Sequence, residues 1–443
     1  MFFLIPHEVT STSLTLWVAA VDEASPLDAL RLAPQLPGEQ PPGNVGQWPL
    51  NTQQPRVRHH EIVVTGLAPR RSYGFSLMRG ATAVAHARAT TLPVELPDEG
   101  DGRFTVLLGS CFSRLEDPHG RVAKTFREVP QPDRPDVKFL SGDQVYLDSP
   151  YKFYLARPHS VEVLREKFLE HYTETWAKGL ADLLAEGANF FCSDDHEFWN
   201  NAPNPAPHLH DTLPFIGHPS EWWNAARELY CAFQNARPIQ RFDVPPLSFL
   251  IADTRMNRSR RETNFMRESD LDAVEQWINA LNGPGVLLLG QPLLQTTTGF
   301  FRGHLFDWNL PDYDQYQRLT RIIGACRHSL VVLTGDVHYG RIASSPLRSG
   351  AELIEIISSP MSLVDPTAKG KWESVPERVA PAALAPTGIF TKPDFAPNDS
   401  HFLTLEFTRR GVGANLKLRY WPIIQGQTAG PDFGRHIWEK ALV

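Results

Sequence analysis

Five short apolar runs in this chain each stop on a polar or reactive residue, and that pattern restricts the fold more than any other feature. FTVLLGS leads to Cys111, VKFLSG to Asp143 with Tyr146 close behind, NFFCSD to Asp195 and His196, SFLIA to Asp253, and SLVVLTG to Asp336 and His338. Short apolar runs of this kind read as strands buried on both faces. Strands that stop on a carboxylate, thiol or imidazole deliver those groups to one edge of a sheet, the edge where α/β proteins bind ligands. Helical patterns lie between the runs. Val161, Leu164, Phe168, Tyr172, Trp176 and Leu180 fall at steps of three and four, with Ser160 as N-cap and Gly187 as stop. SDLDAVEQWINALNG and PDYDQYQRLTRIIGACRH predict two further helices, each followed by an apolar strand. Leu403, Leu405 and Phe407, then RRGVG, then Leu416, Leu418 and Tyr420 predict a hairpin. The expected class is mixed α/β (α+β), with strand-helix units followed by antiparallel strands.

Residues 1–92 have a different character. Leu14, Leu16 and Val18 alternate with Thr15 and Trp17, the period of a half-buried strand; Ile62 and Val64 begin a second such segment, and Tyr73, Phe75 and Leu77 a third. LAPQLPGEQPPGNVGQWP, between the first two, is too rich in Pro and Gly for regular structure. HHEIVVTGLAPRRSYGFSL followed by ARATTLP resembles the later strands of a fibronectin type III sandwich. The expectation is a small β-sandwich domain over 1–95, a linker over 93–102 and a catalytic domain over 103–443.

Composition narrows the function classes. A hydrophobic content of 42% and a charged content of 21% belong to a soluble globular protein. A formal net charge of -7 gives no nucleic-acid-binding signature. Cys111, Cys192, Cys231 and Cys326 form no CxxC pair, which argues against a zinc ribbon or a disulfide scaffold. No apolar run is long enough for a membrane span. MFFLIPHEVTSTS lacks a basic n-region, a long apolar stretch and a cleavage site, so the sequence as it stands is expected to be cytoplasmic.

The strand-end residues read as a metal site. Asp143, Asp195 and Asp336 are hard oxygen ligands, His338 an intermediate one, Tyr146 a phenolate and Cys111 a thiolate. Phenolate and thiolate favour Fe(III), whereas an oxygen-rich neighbour suits Ca, Mg or Mn; Zn is not separated from these by ligand type. Two adjacent cations sharing a carboxylate lower the pKa of bound water and clamp phosphoryl oxygens. Gly142 and Gly335 precede their aspartates and would let the backbone turn sharply close to an ion.

GSC at 109–111, SGDQVYLD at 141–148, DDHEFWNN at 194–201, ADTR at 252–255, LLGQPLLQ at 288–295 and LTGDVHYG at 333–340 stand in the order found in one family. In these motifs the chain resembles the alkaline phosphatase D (PhoD-like) family of calcineurin-like metallophosphoesterases. The resemblance implies a four-layer α/β/β/α core, two or more metal ions (Fe(III) plus Ca, with Mn, Zn or Mg as substitutes) and hydrolysis of phosphate esters, small or polymeric, by a metal-bound hydroxide. It assigns Asp143 as the bridging ligand, Cys111 and Tyr146 to an iron, and Asp195 to the second metal. His196 becomes the group that assists the leaving alcohol. Asp336 and His338 stand where relatives carry a GHxH pair, and Asn200, Asn201 and Arg255 would orient the phosphate or the metal ligands. The sequence reads SDDHE where WDDHE is expected, a change in packing that leaves the metal set alone; the Trp-rich continuation after LLGQ is missing, and that segment points to a different substrate pocket.

Simpler readings stand beside these. Asp143 and Asp336 are also common turn residues, Cys111 an ordinary buried thiol and Tyr146 an ordinary core ring. Asp194 is read as support for its neighbours and Asp253 as scaffold for Arg255. His208, His210 and His218 sit in a Pro-rich segment read as a solvated lid, Trp222 and Trp223 as helix-packing residues, and RMNRSRR as a basic loop. A metallohydrolase of a non-phosphate bond and a non-catalytic binding protein are the rival classes.

Overall fold

The computed structural model describes residues 1–23, 30–35, 56–155, 158–298, 307–362, 372–376, 384 and 399–443. The chain begins with β1 (Phe2–Val9), β2 (Ser13–Val21), β3 (Leu30–Pro34), β4 (Val57–Thr65), β5 (Ser72–Arg79) and β6 (Thr82–Thr90). They form two three-stranded antiparallel sheets, ordered β1-β2-β4 and β3-β5-β6. Within the Pro- and Gly-rich segment 32–49, the first residues belong to β3 and residues 36–49 lie outside the described set.

The rest of the chain builds two six-stranded mixed sheets. Its strands are β7 (Phe104–Gly109), β8 (Val137–Ser141), β9 (Ala188–Cys192), β10 (Ile239–Val244), β11 (Leu247–Ala252), β12 (Gly285–Leu288), β13 (Leu330–Thr334), β14 (Arg341–Pro346), β15 (Glu352–Ile357), β16 (His401–Arg410), β17 (Gly413–Pro422) and β18 (Arg435–Leu442). The orders are β18-β17-β16-β7-β8-β9 and β10-β11-β12-β13-β15-β14. In the first sheet β7, β8 and β9 are parallel; in the second β11, β12, β13 and β15 are. Registers such as Leu140 opposite Phe191 and Leu288 opposite Leu333 bring the parallel strands to an end together.

The sheets face each other across a shared core in which Phe104, Phe139, Phe190, Phe242 and Phe249 interlock; Phe242 and Phe249 stack at 4.6 Å. Burial of each ring contributes about 1.5–3 kcal/mol. The outer face of the first sheet, through Leu107, Leu140 and Phe191, packs on the helices Arg121–Glu128, Val161–Glu174, Ala181–Ala185 and Pro219–Gln234. The outer face of the second, through Leu250, Leu287 and Val332, packs on Glu268–Ala280 and Tyr316–Gly324. The four layers are therefore α/β/β/α.

Two local expectations change. Ser160 caps its helix, its hydroxyl accepting from Val163 N at 3.5 Å, but the apolar stripe does not continue as one helix to Gly187. The α-helix ends at Glu174, a π-helical turn covers Thr175–Gly179, and a new helix starts at Ala181. Nor is β2 half-buried. Leu14, Leu16 and Val18 join the core between the sheets, while Trp17 and Ala19 join the core under the helices. Trp17 meets Phe233 of the helix Pro219–Gln234 at 5.5 Å and stacks on His7 at 5.8 Å.

Candidate metal centre

The strand ends converge. β7 runs into Cys111, β8 into Asp143, β9 into Asp195 and His196, and β13 into Asp336 and His338. The chain turns so tightly here that Cys111 (φ 55°), Asp143 (57°), Asn201 (71°), Asp336 (70°) and His338 (56°) all adopt left-handed backbone. That conformation costs about 1–3 kcal/mol for a residue other than glycine, with Asn and Asp the most tolerant, and it gathers where a site is over-determined by its surroundings. The two glycines make room for neighbouring strand ends. A Cβ at Gly142 would stand 2.6 Å from Asp194 Cβ, and one at Gly335 would stand 2.4 Å from Ser110 Cβ.

Three groups of metal-capable side chains result, each with ligand atoms within 4.8 Å of one another: Cys111, Asp143 and His338; Asp143, Asp195 and His196; and Asp143, Asp194, Asp195 and Asp336. Asp143 belongs to all three. One of its oxygens lies 3.5 Å from Cys111 Sγ and 3.3 Å from the Tyr146 hydroxyl, and the other accepts from His196 N at 3.2 Å. None of these groups includes His208, His210 or His218.

A surrounding ring of polar contacts fixes the centre. Glu197 accepts from the backbone N–H of Asp143 (2.8 Å), Gln144 (2.6 Å) and Asp194 (2.9 Å). Asp148 accepts from His196 Nδ1 at 2.9 Å and from Asn200 N at 2.7 Å. Asn201 donates its backbone N–H to Asp195 at 2.6 Å. Asp253 ties β9 to β11, accepting from Ser193 N, Arg255 N and the Tyr230 hydroxyl. Ser359 touches Cys111 Sγ at 3.2 Å and accepts from His338 N at 3.1 Å. Sequence reasoning left Glu197, Asp148 and Gln291 without roles although all three lie inside recognisable motifs. Asp307 and Ser359 carry no local signal, because only the folded chain brings them close.

Arg255 is fully buried, and its guanidinium is committed to Asp194 (2.8 Å from Nε), to Ala202 O (2.6 Å) and to Asp307. It faces carboxylates of its own chain, a placement that orients the side chain of Asp194. Asp194 gives one oxygen to Arg255; the other is buried with no hydrogen-bond partner among the described residues. Trp222 is core, its indole N–H donating to Phe198 O at 2.6 Å, whereas Trp223 is half-buried at a cavity wall.

Burial and crowding of like charges dominate the electrostatics of the centre. Burial pushes the Asp143 carboxyl well above the usual carboxylate range; His196 opposes this, and Asp195, Asp194 and Glu197 add to it. Burial does the same to Asp336, reinforced by Asp194, Asp307 and Asp195. Burial alone would lower the His196 pKa, but Asp148, Asp195 and Asp143 overcome it and hold the imidazole well above its ordinary value. Four carboxylates crowded together, one with an orphaned oxygen, form a donor set that cations complete. The set fits metal ions.

No family model matches the sequence, and no curated protein matches it. A solved structure described as "Structure of PhoD" matches with a TM-score of 0.64 and 15% sequence identity, covering 96% of this chain and 87% of that one. The chain therefore has the PhoD-like fold, a mixed α/β architecture. No described helix is long and apolar enough to cross a membrane.

Proposed function

We propose that the protein is a metal-dependent hydrolase of phosphate esters, and the observation that carries this is the place of Asp143 in all three metal-capable groups. Asp143 would bridge two ions. Cys111 and His338, with the Tyr146 phenol beside them, would hold the softer one, with Fe(III) favoured. Asp195 and Asp336, aided by the orphaned oxygen of Asp194, would hold a harder one such as Ca, with Mn, Mg or Zn as substitutes. Bound there, a pair of cations supplies Lewis acidity toward a phosphoryl oxygen and toward water.

The chain's own groups supply the rest. Asp148 fixes His196 through Nδ1, which leaves Nε2 to carry the proton that the departing alcohol takes as its ester bond to phosphorus breaks. Arg255 is a positioning residue that sets Asp194, and Asn201 sets Asp195 through its backbone. In this reading residues 103–443 form the catalytic unit, and the two small sheets within 1–95 form a β-sandwich beside it.

The test pairs hydrolysis of an aryl monophosphate and a bis-aryl phosphate with elemental analysis of the untreated protein. Cleavage of at least one ester, with close to two metals per chain, is the expected result. A metal-replete protein that cleaves neither would overturn the proposal.

A further inference from the structure

We infer, resting on the phosphoesterase reading, that a crevice beside the carboxylate centre is a subsite for a second anionic phosphoryl group carried by the leaving part of the substrate. The crevice encloses about 380 Å³ between the helix Pro219–Gln234 and the segment that follows Arg255. Arg227, Arg258 and Arg260 line it together with Trp223, Asn224 and Asn257, and no carboxylate does. In a chain of formal net charge -7, this is a local inversion of sign.

The three arginines differ. Arg258 is committed, donating to Gln291 Oε1 at 2.6 Å and lying over the Tyr313 ring at 4.9 Å. Arg227, whose side chain meets the Cys231 thiol, and Arg260 form no ion pair among the described residues, and Arg260 is exposed. Asn257 Nδ2 is buried with no hydrogen-bond partner among the described residues. A buried donor left unmade is destabilising, and an anion oxygen in the crevice would satisfy it. Guanidinium groups suit phosphoryl oxygens because their forked N–H donors match them in pairs.

Three links place the crevice next to the centre. Gln291, held by Arg258, donates to Asp336 Oδ2 at 3.2 Å. Pro203 lines the crevice directly after Ala202, whose carbonyl accepts from the same Arg255 that holds Asp194. Trp223 stacks on Phe198 at 4.1 Å and 11°, so the segment that carries His196 also backs the crevice wall. The substrate class is thus a small ester whose alcohol portion bears a second phosphate, such as a bisphosphate.

The test compares propyl phosphate with α,ω-alkanediol bisphosphates of increasing spacer length, using the full chain with its metals. One spacer should raise kcat/KM over propyl phosphate by about tenfold or more, the scale of one or two charge-assisted hydrogen bonds. Arg227→Gln with Arg260→Gln should remove that preference, and Arg260→Gln alone should reduce it. Calorimetric binding of the matching non-hydrolysable alkanediol bisphosphonate is read on the same samples. An unchanged preference with hydrolysis intact overturns the subsite and leaves the phosphoesterase reading standing. Absent hydrolysis of these monoesters and of the bis-aryl phosphate alike overturns that reading, and the subsite then stands or falls on whether the double variant loses bisphosphonate binding.

Discussion

Gly142-Asp143 and Gly335-Asp336 are the same dipeptide at the ends of β8 and β13, with the aspartate in left-handed backbone in both, yet the two turns are held very differently. Asp143 is 1% exposed, touches Cys111, Tyr146 and His196, and has its turn pinned by Glu197. Asp336 is half-buried, meets Gln291 at 3.2 Å, and belongs to one metal-capable group against three for Asp143. The dipeptide explains the turn. What each aspartate can do is decided by the elements folded around it.

The sharpest way to break this contrast is to neutralise each aspartate in turn. Asp143→Asn should lower phosphoesterase kcat by about 10³-fold or more and strip both metals, whereas Asp336→Asn should cost about 10²-fold and release fewer metal ions. Steady-state kinetics with elemental analysis of both variants checks this, and equal losses would erase the distinction. Removing the ions from the native protein with a chelator should lower the melting temperature, because four crowded carboxylates lose their counter-charge; refilling should restore it, as read by calorimetry. Glu197→Gln weakens two backbone hydrogen bonds at the first turn and a third at Asp194, for an expected loss of about 2–3 kcal/mol in chemical denaturation. Ser359→Ala removes one contact to the His338 backbone and one to Cys111, and should cost only about 1 kcal/mol by the same measurement.

The strand ends were legible because a buried parallel strand is nearly all apolar, so the polar residue that stops it stands out. The hairpin of β16 and β17 was legible for a related reason, since its alternating residues pair as read, with Leu405 opposite Leu418. The expected ligands Cys111, Asp143, Asp195, Asp336 and His338 all lie in the cluster. What the sequence hid is the order of importance among neighbours. Arg255 sits in a recognisable motif, but its burial between Asp194 and Asp307 depends on two segments far away in the chain. The break in the helix at Thr175 was equally hidden, because a π turn keeps the same apolar residues facing inward while shifting the backbone. β2 misled in the other direction: its alternation is real, but both faces are covered, one of them by Phe233 and His7.

That double cover has a consequence for how the molecule comes apart. Trp17, Ala19 and Phe3 contribute to the same apolar cluster as Phe191 and Phe233, so excising residues 1–95 would strand hydrophobic surface on β9 and on a helix beside the centre. The amino-terminal strands act as a keel, and the shortened protein would be expected to aggregate.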